Sequence, residues 1–192
     1  MIAADLAAPE SVPAITGPFA TLLEFERLSL AHRPGRPDLV QAEGHYRGVA
    51  YRIGGFRLVS DFSDILEILT VPAITPVPGA DDWMLGIANV RGNLVPVVDL
   101  RRFLLGERSL VFDGQRMLLI RQQGGNVAVL VDEFFGQRGF VEDERIDAPT
   151  EQERYPRLTG FVARSYQVGG HDWSVFDLAR LTRTPEFRQA AH

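Results

Sequence analysis

Four times between residues 45 and 178, a short apolar run breaks at a glycine-rich turn and then resumes. Val49, Tyr51 and Ile53 alternate along one face, Gly54-Gly55 supplies a two-residue turn with the positive φ that a tight hairpin needs, and Phe56 and Leu58 resume the alternation. Residues 85–90 and 94–100 flank the turn Arg91-Gly92-Asn93, residues 117–121 and 127–131 flank Gly124-Gly125-Asn126, and residues 161–168 and 173–176 flank Gly169-Gly170. No helical pattern of about 10 to 15 residues separates these runs, so the crossovers that build a parallel sheet have nothing to be made from. The chain is therefore expected to be all-β, as compact barrels or a sandwich.

A short internal repeat narrows this. Val97-Val98-Asp99-Leu100 matches Val175-Phe176-Asp177-Leu178 in kind, and each is followed by an arginine and more apolar residues. Both aspartates stand where a helix N-cap would accept backbone N–H groups, so two strands are expected to run directly into short helices. Two such endings suggest two related small barrels packed together. Val127, Val129 and Val131 alternate with Ala128 and Leu130, so that strand is apolar on both faces and is expected to be central. Pro96 lacks an N–H, which marks its strand as an edge or a bulge.

At 192 residues one substantial domain is expected, and the 45 % hydrophobic and 23 % charged composition is that of an ordinary soluble protein. Residues 1–17 read as a flexible leader. A short amphipathic helix is expected over residues 19–32, where Leu22, Leu23, Phe25, Leu28 and Leu30 nearly encircle the axis before Pro34 and Gly35 end the pattern. The expected organisation is a leader, helix and linker over 1–44, a domain over 45–185 and a tail over 186–192. Asp5 and Glu10 occupy the place of a basic n-region, and no apolar stretch is long enough to span a membrane, so a cytoplasmic location is expected.

Composition excludes several chemistries. There is no cysteine, and the 20 basic residues are all arginine, so disulfides, thiolate zinc sites, cysteine nucleophiles, Schiff-base lysines and P-loop lysines are absent. The net charge of −5 repels a phosphate backbone and argues against nucleic acid as a partner. None of the four histidines has a second ligand at zinc spacing, and none of the seven serines sits in a nucleophile elbow. Glu67 with Asp99 and Asp132 with Glu133 are the carboxylate pairs available for acid–base work, and they read better as a helix cap and solvated charges. No cofactor is expected. A small-barrel enzyme or ligand-binding module using Glu67, Asp99 and Arg91 in a cleft is a competing reading.

The segment Gly86-Ile87-Ala88-Asn89-Val90-Arg91-Gly92-Asn93-Leu94-Val95-Pro96-Val97-Val98-Asp99-Leu100, preceded by Pro78, resembles the signature of CheW-like domains. Ile65-Leu66-Glu67-Ile68 is similar to the family's step before that signature. Val129-Leu130-Val131-Asp132, Leu158-Thr159-Gly160 and Val175-Phe176-Asp177-Leu178 resemble its later strands, so the resemblance covers about residues 45 to 185. Val77-Pro78-Gly79 with Trp83, Ala88-Asn89, Gly136-Gln137-Arg138 with Phe140, and the helix after Pro18 look most like the family's type IV pilus adaptors, which serve twitching motility. The segment 56–67 is about two residues longer than the common pattern, and Val90 replaces the usual leucine.

The resemblance implies two SH3-like five-stranded barrels, no catalysis, and an adaptor that bridges a methyl-accepting chemoreceptor to a CheA-type histidine kinase, recruited to membrane-associated receptor arrays without inserting in the membrane. A general flagellar chemotaxis adaptor is the alternative within the family. The residues it implies for partner binding are Ile65, Glu67, Ile68, Gly86, Ile87, Asn89, Arg91 and Gly92. Because Gly92 and Asn93 tolerate positive φ, Arg91 is expected at the mouth of a tight turn, within reach of Glu67 and beside Ile65, Ile68 and Ile87.

Overall fold

The computed structural model describes residues 45–188 except 113 and 148, together with residues 22, 24, 26 and 27. Leu22, Glu24, Glu26 and Arg27 have helical backbone and are exposed; the rest of the expected leader, helix and linker lies outside the described residues.

The unit Gln41–His192 holds twelve strands: β1 (His45–Ile53), β2 (Phe56–Ser60), β3 (Ile65–Thr70), β4 (Ile74–Thr75), β5 (Met84–Val90), β6 (Asn93–Asp99), β7 (Arg116–Gln122), β8 (Gly125–Leu130), β9 (Glu133–Val141), β10 (Arg145–Ile146), β11 (Val162–Val168) and β12 (His171–Phe176). Short helices follow at α1 (Leu100–Leu105), α2 (Pro156–Thr159), α3 (Leu178–Leu181) and α4 (Pro185–Arg188). The four expected hairpins are present, each closed by a two-residue turn, with Ile53 opposite Phe56, Val90 opposite Asn93, Gln122 opposite Gly125 and Val168 opposite His171. Two turns are shorter than the sequence suggests: Asn93 and Gly125 each open the strand that follows.

The expected pair of closed five-stranded SH3-like barrels is not what forms. One sheet has the order β10-β11-β12-β2-β1-β9 and the other β3-β7-β8-β6-β5-β4, six strands each, and neither closes on itself. Both are mixed, through the parallel pairs β12–β2 and β6–β8. The second sheet uses consecutive strands and is inserted between β2 and β9 of the first. Its opening has a covalent cause. Pro72, Pro76 and Pro78 surround β4 and supply no N–H, so β4 is only two residues long and pairs with β5 without reaching β3. In the first sheet a single 3-10 turn, Glu142–Glu144, redirects the chain after β9, and the two-residue β10 pairs with β11 instead.

Alternation puts apolar side chains on both faces of the inner strands. Tyr51, Ile53 and Leu58 of the first sheet meet Leu118, Ile120, Val127 and Val129 of the second in the main core between them. Ala88, Val95, Val97, Met117 and Ala128 fill the concave face of the second sheet, and Ala50, Val59, Phe140, Tyr166 and Trp173 that of the first. β8 is third in its order and buried on both faces, as its valine pattern requires. Trp83 stacks on Phe187 of α4 at 5.7 Å, with Phe103 edge-on to both, which packs α4 against the same core.

The internal repeat is structural. In each of the hairpins β5–β6 and β11–β12 the first strand bulges near its start, between Met84 and Gly86 and between Val162 and Arg164. Asp99 donates its backbone N–H to the carbonyl of Trp83 at 2.8 Å, and Asp177 does the same to Phe161 at 2.9 Å. The Asp99 carboxylate accepts from the Arg102 N–H at 3.0 Å, and that of Asp177 from the Arg180 N–H at 2.7 Å, so both open a helix.

The two caps are not equivalent. Asp99 is buried and also accepts from the backbone N–H and the hydroxyl of Ser109, at 2.8 and 2.7 Å. Asp99→Ala is expected to cost about 2 kcal/mol, because three half-buried donors lose their partner, against about 1 kcal/mol for Asp177→Ala. Urea unfolding of the two variants measures the difference.

Candidate functional site

Glu67 on β3 and Arg91 in the β5–β6 turn lie toward opposite sides of the second sheet, yet the sheet curls enough to bring them together. A bulge at Leu66 sets the side-chain directions on β3: Ile65 lies opposite Ile120 and Glu67 opposite Leu119, so three residues face two. Ile65 and Ile68, three apart, therefore both pack on the main core, while Glu67 and Leu69 turn toward the concave face. From the other side, the β5–β6 turn carries Arg91 to the mouth of that concavity, where its Nη2 donates to Glu67 Oε1 at 2.5 Å. The Arg91 side chain is 76 % exposed and that of Glu67 26 %, so the pair lies across the open end of the curled sheet with one partner anchored and the other presented.

The turn is stiff for a specific reason. Arg91 has φ 53 and Gly92 φ 86, both positive, as a type I′ hairpin turn demands. The sequence pointed to Gly92 and Asn93 as the positive-φ positions; the shorter turn moves that requirement onto Arg91 itself. Asn89 Oδ1 accepts the Gly92 N–H at 2.8 Å and fixes the loop from inside. A left-handed arginine is strained by about 1–2 kcal/mol. Arg91→Gly is therefore expected to raise stability by up to about 1 kcal/mol, the relief exceeding the weak surface ion pair that is lost, while Arg91→Ala lowers it slightly. Thermal melts of the two variants give opposite signs.

Not all the residues singled out in the sequence share this surface. Gly86 is buried beneath β4, at φ 143, where a Cβ would stand 2.2 Å from the carbonyl oxygen of Thr75. Ile65 and Ile68 belong to the core, and Ile87 is half-buried on the outer face of β5 between Thr75 and Pro96. The large apolar residues exposed on these strands are instead Leu94, 75 % exposed and opposite Asn89 on that same outer face, and Leu66, 41 % exposed at the bulge. Leu94 was legible as a strand residue just after the turn, but its face only with the turn length known.

The carboxylates singled out for acid–base chemistry have other work. Asp99 ends β6, six residues beyond Asn93 and so roughly 20 Å from the Arg91 turn, and it is spent on the α1 cap. Asp132 Oδ2 accepts the Gly54 N–H at 2.5 Å and Glu133 holds Arg52 at 3.0 Å, bracing the β1–β2 turn. Among the described residues no group of three His, Cys, Asp or Glu is placed to hold a metal. No helix there is long and apolar enough to cross a membrane.

Residues 47–186 match the model of the CheW-like domain family. The chain belongs to that family. This CheW-like domain is 30 % identical over 176 residues to Protein PilI of Pseudomonas aeruginosa, a match spanning 91 % of this chain and 96 % of that protein. It is 28 % identical over 109 residues to Chemotaxis protein CheW of Thermotoga maritima, spanning 55 % of this chain and 70 % of that one. Among solved structures it is similar to the scaffolding protein TtCheW from Thermoanaerobacter tengcongensis, with a TM-score of 0.58 at 20 % identity, covering 69 % of this chain and 84 % of the other, a likeness of fold. As a CheW-like domain it is a non-catalytic adaptor of the chemosensory type, and the carboxylate-enzyme reading is set aside.

Proposed function

We propose that the chain couples a methyl-accepting chemoreceptor to a CheA-type histidine kinase in a chemosensory array, and that the receptor is read at the Glu67–Arg91 pair. The observation that carries the reading is that pair: a guanidinium on a strained, hydrogen-bonded turn, aimed by a half-buried carboxylate, with exposed Leu94 in the strand that leaves the turn and exposed Leu66 beside Glu67 in the chain. Apolar rim residues supply affinity and a fixed charge supplies register, which is how a protein surface recognises the tip of a helical partner. Asn89 and Gly92 hold the turn, Ile87 lies on the outer face of the hairpin, and Ile65, Ile68 and Gly86 support it from beneath. The adaptor acts in the cytoplasm, held at membrane-associated receptors by its partners.

Relatives named for chemotaxis in Thermotoga maritima and Bacillus subtilis support a general coupling role. The match to Protein PilI along nearly its whole length favours a second reading, in which the array controls type IV pili and twitching. Tagged full-length protein purified from its own host, with mass spectrometry of what accompanies it, is expected to recover a CheA-type kinase and a methyl-accepting receptor. Pilus-system partners among them establish the second reading. Recovery of neither kinase nor receptor, with the protein folded and abundant, overturns the adaptor assignment.

A further inference from the structure

A cleft of about 450 Å³ lies far along the chain from the Arg91 turn, where the β7–β8 turn faces the corner between α3 and α4. Arg121 near the end of β7, Arg183 after α3 and Arg188 at the end of α4 all line it. None of the three side chains makes a hydrogen bond or ion pair with the described residues, so their donors are open to a ligand. Among the described residues Asp64 is the one carboxylate lining the cleft, and it accepts a hydrogen bond from the Ala179 backbone. Burial, then Asp61 and Asp177, push its carboxyl upward, and Arg183 offsets this only weakly, so Asp64 is a poor counter-ion for three guanidinium groups.

We propose that this cleft binds a small phosphate ester. Three arginines, from β7, from the segment after α3 and from α4, line one volume in a chain whose net charge is −5. A carboxylate is satisfied by one planar fork of N–H donors, while a terminal phosphoryl group offers three oxygens and accepts from several forks at once. The volume falls in the range of small-molecule sites, about 300–1,000 Å³, and exceeds what a bare phosphate fills. Gln122 and Gln123 add carboxamide donors and acceptors to the wall, suited to the polar organic part of the ester.

The test uses the full-length chain, isotope-labelled, titrated with adenosine 5′-monophosphate and separately with inorganic phosphate while backbone amide resonances are followed. Saturable shifts confined to residues 121–123 and 179–188 are expected, with the ester binding more tightly than inorganic phosphate. The double variant Arg121→Ala/Arg183→Ala should weaken binding at least about tenfold, since each lost charge-assisted bond to phosphate is a strong one, with an unchanged thermal melt because both side chains are at the surface. Absence of saturation, shifts spread equally to Arg108 and Arg116, inorganic phosphate binding as tightly as the ester, or a double variant that binds normally would each overturn the proposal.

Discussion

Gly86→Ala should lower the melting temperature by roughly 6–12 °C, corresponding to about 3 kcal/mol in a chain of this size. Two costs combine. The backbone at Gly86 has φ 143, which a residue with a Cβ adopts only under strain. The added Cβ would also lie 2.2 Å from the Thr75 carbonyl oxygen and 2.9 Å from Ile74 Cγ2, and the first is backbone that cannot rotate aside. β4 has just two residues and proline on either side, so pushing it away from β5 removes the last strand of the second sheet. Gly92→Ala is the control. Gly92 also has positive φ, but a Cβ there meets nothing within 4 Å, so its cost is the conformational strain alone, about 1–2 kcal/mol. Equal melting temperatures for the two variants would mean that the close approach of β4 does not constrain the sheet.

The hairpins were legible because each turn demands glycine or another residue at positive φ, a requirement that is local and leaves a mark in the sequence. Asp99 and Asp177 were legible as caps for the same reason: the bond reaches only three residues along the chain. Barrel closure is a different kind of property. Whether β3 pairs with β4 depends on donors that Pro72, Pro76 and Pro78 fail to supply, and on partners distant in the chain. Those prolines were visible, but their consequence appears only when β4 must find a neighbour on each side. The same limit applies at the site. Glu67 and Arg91 were matched as a pair, while the faces of Ile65, Ile68 and Leu94 depended on a bulge at Leu66 and a turn one residue shorter than supposed. A shift of one residue in a strand exchanges its faces, so which apolar residues lie beside the charge follows from the register and not from the residue types.

Charge reversal at Glu67 is expected to separate stability from recognition. Glu67→Arg replaces an attractive contact of 2.5 Å with two guanidinium groups competing for one place. Because Arg91 is largely exposed, it can swing into water, and the cost to folding is about 1 kcal/mol, a shift of roughly 2–4 °C. Receptor association should fall much further, by roughly 10- to 100-fold, because the arginine loses the anchor that aims it and the site acquires a second positive charge. The exchanged double variant Glu67→Arg/Arg91→Glu then asks what the pair does. If it serves only to hold the turn in position, restoring opposite charges restores much of the binding, and the coupling measured in the double-mutant cycle is large. If the Arg91 guanidinium itself meets an acidic group on the receptor, the exchanged pair presents the wrong sign and binding stays lost although the melt recovers. The geometry favours the second outcome. With three-quarters of its side chain exposed and its N–H fork only partly used by Glu67 Oε1, Arg91 keeps donors directed outward, and a carboxylate on the partner is the group those donors fit.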